Sequence, residues 1–193
     1  MFRIFSTLVL VLAASIPAWA TDYGHIHLTA TDAEAAAKWY AKHFGGTASG
    51  FGGDTSAGVK IDRAMFDDIG VIFFEKKEGF PGSVGSAVDH IGFSMPDIAG
   101  KLKGLVDDGA ESLGDVLNFG GMDLAFVVDP WGTKIEIIDD PETRVLHHIH
   151  VHSADAVGTL AWYERAFGGE PKKFKGMLPA LKYNGIWLIV PGS

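Results

Sequence analysis

The stretch GHIHLTATDAEAAAKWYAKHFGG, residues 24–46, recurs without a gap as HHIHVHSADAVGTLAWYERAFGG, residues 147–169. Both copies hold His-Ile-His, Trp-Tyr and a closing Gly-Gly in the same register. A third copy, DHIGFSMPDIAGKLKGLVDDGA at residues 89–110, is weaker but keeps the His-Ile start. Self-similarity of this kind indicates that the chain repeats one supersecondary unit.

Each copy predicts a strand followed by a helix and then by short strands. Residues 25–30 alternate in polarity as a strand does, with the histidines on one face. Thr31-x-x-Glu34 has the pattern of a capping box, and Gly45-Gly46 ends the apolar helical periodicity. Apolar runs at Val71–Glu75 and Thr133–Asp139 predict the closing strands of the first two copies. The repeated unit is therefore βαβββ.

A βαβββ unit that opens with His-Ile and closes with a D-P-x-G-x-x-I-E hairpin, here residues 129–136, resembles the vicinal-oxygen-chelate superfamily. That superfamily includes glyoxalase I, bleomycin-resistance proteins, fosfomycin-resistance enzymes and type I extradiol dioxygenases. The resemblance implies an α+β fold in which paired βαβββ modules form an eight-stranded open half-barrel. We expect a two-module domain at residues 21–140 and a partial third module at residues 141–193.

The resemblance also implies a metal site, because these families hold a divalent metal with the first and last strands of paired modules. Carried over by position, the ligands are His25, His90 and Glu136. Two imidazoles and one carboxylate leave coordination positions for substrate and water, as in non-haem Fe(II) oxygenases. Fe(II) is the favoured ion, with Zn, Ni or Mn as alternatives. The chain has no cysteine, so a thiolate ligand is excluded.

A fourth metal ligand, from the closing strand of the first module, distinguishes glyoxalase-like sites from dioxygenase-like sites in the superfamily that this chain resembles. Aligning Val71-Ile72 with the closing strand puts Phe73 where a glyoxalase carries a glutamate. Glu75 follows two residues later on the same strand face. Glu75 is therefore the candidate catalytic residue, as a fourth ligand or a base, whereas a site without it resembles that of the dioxygenases.

The third copy is ambiguous because His147, His148, His150 and His152 crowd one strand while its closing strand offers no carboxylate. One interpretation is a half-site that another chain completes. The other is a degenerate copy with exposed histidines. A single module leaves an open sheet edge, so the sequence is compatible with a homodimer through residues 145–193.

Two classes of function follow from the resemblance. The first is a metal-dependent enzyme whose substrate chelates the metal through adjacent oxygens. Within that class, extradiol-dioxygenase-like ring cleavage is favoured over a glyoxalase I-like lyase or isomerase. The second is a non-catalytic protein that sequesters a ligand, as bleomycin-resistance proteins do. Glu136 discriminates between them, because such a binder has no need of a carboxylate opposite two histidines.

The N-terminus and the charge limit the location and the partners. A basic start at Arg3, an apolar run over residues 8–14 and Ala18-Trp19-Ala20 predict a secretory signal peptide at residues 1–20. That run is shorter than the ~20 residues that span a bilayer. We therefore expect a secreted or periplasmic protein without a membrane span after cleavage. A formal net charge of −8 without basic clusters excludes nucleic acid, so the expected partner is a small-molecule substrate.

Overall fold

The computed structural model describes residues 21–50, 55, 58–77 and 81–191, and the predicted signal peptide at residues 1–20 lies outside them. The first module comprises β1 (His25–Ala30), α1 (Ala33–Phe44), β2 (Thr47–Ala48), β3 (Ile61–Phe66) and β4 (Ile69–Glu75). The second comprises β5 (Val88–Ser94), α2 (Ile98–Asp107), β6 (Glu111–Ser112), β7 (Leu117–Phe119), β8 (Met122–Val128) and β9 (Lys134–Ile138). The third comprises β10 (Val145–Val151), α3 (Ala156–Phe167), β11 (Glu170–Phe174), β12 (Leu178–Lys182) and β13 (Trp187–Ile189).

The three helices begin in the same way. Asp32, Asp97 and Asp155 are the N-cap residues, and each carboxylate accepts a hydrogen bond from a backbone N–H in the first turn. An N-cap of this type stabilises a helix by about 1 kcal/mol. The cap of α1 is thus one residue later than the Thr31 that the capping-box pattern predicted, because the aspartate accepts the bond from Ala35.

The strands form two sheets. The smaller has the order β1-β4-β3-β2, and the larger has the order β11-β12-β13-β10-β5-β9-β8-β6, with β7 also paired to β8. In every module the first strand runs parallel to the last, as β1–β4, β5–β9 and β10–β13. The α+β class predicted from the sequence is confirmed, and the sheets form no closed barrel. In the second module four strands, not the predicted three, follow the helix.

The pairing between modules differs from the expectation. The strands that join two modules are β5 and β10, which run antiparallel, so the second and third modules share the larger sheet. The third module is not partial in its elements, since β10 to β13 and α3 supply the whole βαβββ order. The first strands of the three modules have similar sequences, so the repeat alone does not indicate which two of them pair with each other. The homodimer through residues 145–193 stays a prediction, but both edges of β10 are already paired within the chain.

The first module is attached through α1 to the second module. The indole Nε1 of Trp39 donates to the carbonyl oxygen of Asp108 at 2.9 Å. The Tyr40 hydroxyl donates to Asp129 Oδ2 at 2.7 Å, and the tyrosine is fully buried. A buried hydroxyl needs such a partner, because leaving it unpaired costs roughly 1–3 kcal/mol. These contacts hold α1 against two places in the second module, the end of α2 at Asp108 and the turn between β8 and β9 at Asp129.

The helix α3 is similar to α1 in sequence, but its side chains are less buried. Phe44 of α1 stacks on Phe93 in the core, with ring centroids 4.0 Å apart. Its counterpart Phe167 is 43% exposed, and Trp162 is 50% exposed. Among the described residues α1 packs against α2 of the second module as well as against its own sheet, whereas α3 packs mainly against β12 of its own module, which explains the difference. No helix in this part of the chain has the length and apolar character needed to cross a membrane.

Candidate metal centre

Four titratable side chains converge on one face of the larger sheet. His90 pairs with His150, and Gly92 pairs with His148, across the antiparallel strands β5 and β10. Glu136 on β9 is in parallel register with Gly92. Residues in direct register across neighbouring strands project to the same side of a sheet. We call His90, Glu136, His148 and His150 the His/Glu cluster; one ligand atom of each lies within 4.8 Å of the others.

Glu136 lies between two of the histidines. Its Oε2 is 3.0 Å from Nε2 of His90 and 3.3 Å from Nε2 of His148. On the other side, Nδ1 of His150 is 2.9 Å from the same His90 nitrogen. One carboxylate and three imidazoles therefore point at a common volume.

Two nitrogens of the His/Glu cluster are buried without a hydrogen-bond partner, namely Nε2 of His148 and Nε2 of His150. The short approach of His148 to Glu136 lacks the geometry of a hydrogen bond. Buried polar atoms are nearly always paired, so an unpaired nitrogen in such a group indicates a missing partner. A divalent cation fits this place, because neutral imidazole and carboxylate are ligands of Fe, Zn, Ni and Mn.

The charges of the His/Glu cluster suit a cation. Burial raises the pKa of Glu136, but the His148 and His90 rings outweigh it and hold that pKa well below its usual range. Burial, together with the His90 and His148 rings, lowers the pKa of His150 to about 3. At neutral pH the cluster thus presents an anionic carboxylate and a neutral His150, the protonation states that metal binding requires.

Each of the two first-strand histidines is supported by the residue directly before it. Nδ1 of His90 lies 2.7 Å from Asp89 Oδ2, which also accepts a hydrogen bond from Lys134 Nζ at 2.6 Å. Nδ1 of His148 lies 2.7 Å from Nδ1 of His147. Metal-binding histidines characteristically use their second nitrogen in this way, which fixes the ring orientation.

Gly92 leaves the space that the His148 ring occupies. A Cβ atom at residue 92 would lie 2.1 Å from Cε1 and 2.3 Å from Nδ1 of that ring. Gly92→Ala is therefore expected to displace His148 and to weaken metal binding by about 10-fold or more, as loss of ligand orientation does. The measurement is the dissociation constant for Zn²⁺ by chelator competition.

Gly104→Ala is the matched control for this substitution. Gly104 lies in α2, and a Cβ there meets nothing within 4 Å. It should leave the Zn²⁺ affinity unchanged and stabilise the helix by roughly 0.5–1 kcal/mol. Wild-type affinity in the Gly92→Ala protein would contradict the assignment of His148 to the centre.

The structure brings together His90 and Glu136, two of the three ligands predicted from the sequence. His25 lies on β1 in the smaller sheet, outside the His/Glu cluster. It instead lines a cavity of about 420 Å³ beside β1, which His90 also lines. In its place the third module contributes His148 and His150, which are buried and half-buried rather than exposed.

The strand register explains where the closing-strand positions fall. Glu136 is in register with Gly92, and the equivalent pair in the first module is His27 with Ile72. Ile72, not Phe73, therefore occupies the glutamate position. Glu75 is in register with Ala30 at the end of the smaller sheet, on the strand face opposite to Ile72.

A family model described as the Glyoxalase/Bleomycin resistance protein/Dioxygenase superfamily matches residues 22–137. The chain belongs to this superfamily. The match covers the first two modules, including His90 and Glu136, whereas His148 and His150 lie beyond it.

Solved structures of the superfamily share the fold. Glyoxalase I from Zea mays superposes with a TM-score of 0.68 at 17% identity, covering 88% of this chain and 66% of that one. A proposed dioxygenase from Bacillus subtilis subsp. subtilis str. 168 has a TM-score of 0.68 at 14% identity, covering 90% and 64%. The chain thus spans about two thirds of the length of each. A search of curated protein sequences returned no match.

A cavity of about 380 Å³ opens onto the His/Glu cluster of this superfamily member. Glu136, His148 and His150 line its polar end, and Asn118 is the other polar residue. Its remaining lining is apolar and aromatic: Leu117, Phe119, Leu124, Phe126, Phe174, Leu178 and Ile189. An apolar pocket with a few convergent polar groups is the usual form of a small-molecule site.

Proposed function

We propose that this superfamily member is a divalent-metal-dependent enzyme acting on a small substrate that chelates the metal through two adjacent oxygens. Ring cleavage of the extradiol-dioxygenase type, with Fe(II), is the favoured reaction. The observation that carries the proposal is the buried His/Glu cluster with two unpaired nitrogens facing an aromatic cavity. Export to the periplasm or the medium, predicted from residues 1–20, is part of the proposal.

His90, His148 and Glu136 would hold the ion, as two imidazoles and one carboxylate. When bound, the metal supplies a Lewis acid that polarises the two substrate oxygens. The aromatic residues Phe126 and Phe174 would contact the flat apolar part of the substrate and exclude water from it.

His150 is the candidate general base. Its Nε2 is buried and unpaired, and the residue lines the cavity. A neutral imidazole in this position accepts a proton from a substrate hydroxyl. His150→Gln is expected to lower kcat by about 10²–10⁴-fold while the protein keeps its metal. Loss of the metal together with the activity would make His150 a ligand instead.

A second candidate is a glyoxalase I-like lyase or isomerase. The observation that favours it is the number of possible ligands, because four side chains of the His/Glu cluster each offer one ligand atom. Such an enzyme would work with Zn, Ni or Mn and would need no dioxygen.

The deciding experiment uses the mature chain, residues 21–193, freed of metal and reloaded. With Fe(II), catechol and dioxygen, oxygen uptake equal to the amount of ring-opened product is the expected result. With Zn²⁺ or Ni²⁺ and no oxygen, turnover of a glutathione hemithioacetal would support the second candidate. Tight binding of an aromatic ligand to the metal-free protein, without turnover in either assay, would favour a sequestering protein and contradict both.

A further inference from the structure

His147 is a fully buried imidazole that is not a member of the His/Glu cluster. It directly precedes His148 on β10, and the Nδ1 atoms of the two rings are 2.7 Å apart. Its Nε2 lies 3.2 Å from Oδ2 of Asp140. The ring is therefore held at both nitrogens, and its exposed fraction is 0%.

A β-bulge explains why neighbouring side chains meet. Leu146 pairs with Phe93 and His148 pairs with Gly92, so His147 is an extra residue on β10. In a regular strand His147 and His148 would point to opposite faces. A bulge re-aims one side chain, which is why bulges occur beside active sites.

Asp140 determines which nitrogen of His147 carries the proton. Its other oxygen, Oδ1, accepts hydrogen bonds from Lys175 Nζ at 3.1 Å and from the backbone N–H of Glu142 at 3.0 Å. Burial raises the pKa of Asp140, but these hydrogen bonds outweigh it and hold the pKa below its usual range. An ionised carboxylate only accepts, so Nε2 of His147 must donate.

The tautomer of His148 follows from that assignment. A neutral imidazole has a single N–H, and two ring nitrogens 2.7 Å apart have one proton between them. Because His147 uses its N–H toward Asp140, its Nδ1 accepts, and Nδ1 of His148 donates. The lone pair of His148 is then on Nε2, the unpaired atom beside Glu136.

We infer that His147 is a positioning residue that locks His148 in the tautomer able to bind a cation through Nε2. The inference rests on the proposed metal centre. It adds to that centre a chain of hydrogen bonds from Asp140 through His147 to His148. His147 does not touch the ion or the substrate.

The second module repeats the arrangement with a different residue. Asp89 is also an extra residue in the pairing of β5 with β10, since His90 pairs with His150 and Val88 with Val151. Its carboxylate contacts Nδ1 of His90 directly. Equivalent bulges thus hold both histidines, one through a carboxylate and the other through an imidazole that is itself held by a carboxylate.

Two substitutions test the inference. His147→Asn keeps an acceptor near the position of Nδ1, whereas His147→Leu removes it. In the Leu variant we expect Zn²⁺ to bind 10–100-fold more weakly, the usual effect of losing such a support. In the Asn variant we expect affinity near that of the wild type. Chelator competition measures the affinity, and ¹⁵N NMR of the metal-free protein reports whether Nδ1 of His148 carries the proton.

The outcomes are distinguishable. The inference is overturned when His147→Leu binds Zn²⁺ like the wild type, or when the wild-type His148 carries its proton on Nε2. It is also overturned when both variants lose affinity and thermal stability equally, which would indicate a packing role alone. A wild type that binds no metal would overturn the proposed function, while the tautomer measured by NMR still decides the role of His147.

Discussion

Glu136→Ala is expected to weaken metal binding by at least about 100-fold. Loss of a residue that only hydrogen-bonds to a metal ligand already lowers the metal affinity by about 10–100-fold, and loss of the ligand itself should lower it more. Glu136 is the only carboxylate of the His/Glu cluster, and its Oε2 lies within 3.3 Å of two imidazole nitrogens. Without its negative charge, a cation at this buried place would have only imidazole ligands from the cluster. The measurement is metal content per chain after dialysis, by elemental analysis, with His148→Ala expected to behave in the same way.

His25→Ala is the matched control for that experiment. His25 is the histidine that the sequence placed in the centre, and in the structure it lies on β1 in the smaller sheet. Its removal should leave the metal content at the wild-type value of about one ion per chain. Loss of the metal in His25→Ala, with retention in His148→Ala, would restore the triad predicted from the sequence and contradict the cluster.

Tyr40→Ala is expected to lower the free energy of unfolding by about 3–5 kcal/mol, the range for removing a large aromatic side chain from a core. Tyr40 is fully buried, and its ring lies 4.9 Å from that of Phe73. The substitution also removes the hydroxyl that donates to Asp129, a carboxylate in the turn of the second module. Urea unfolding followed by fluorescence measures the loss.

Tyr163→Ala gives the comparison at the equivalent position of the repeat. Tyr163 lies on α3, which has no buried residue, so a loss of about 1 kcal/mol is expected, typical of an ordinary substitution. Tyr40→Phe isolates the hydroxyl and should cost about 1–3 kcal/mol. Equal losses for Tyr40→Ala and Tyr163→Ala would contradict the attachment of the first module through α1.

Much of the fold and half of the centre could be predicted from the sequence. The gapless repeat of residues 24–46 at residues 147–169 predicted the βαβββ unit, which the first and third modules have; the second module has one further short strand after its helix. His90 and Glu136 could be found because each occupies a position that recurs in the repeat or in the hairpin motif. Periodicity and turn chemistry are local properties, so a single chain reports them directly.

The remaining features depend on contacts between distant segments. Nothing in the sequence of β10 indicates that its edge pairs with β5 rather than with another chain. The histidines of β10 were therefore interpreted either as a half-site that another chain completes or as part of a degenerate copy. The bulge at His147 arises only in the pairing of the two strands. A shift of one residue in register moves every side chain to the other face, which is why Phe73 was taken for the glutamate position.

The antiparallel contact of β5 with β10 has a consequence for how the protein is made and handled. His90 and His150 are 60 residues apart in the chain, so the centre is completed only when the third module has been synthesised and has folded onto the second. A fragment cut at residue 140, where the repeat suggests a boundary, would keep the hairpin with Glu136 but lose two of the four side chains. Expression of residues 21–140 alone would therefore yield a protein that carries the superfamily motif and lacks His148 and His150 of the His/Glu cluster.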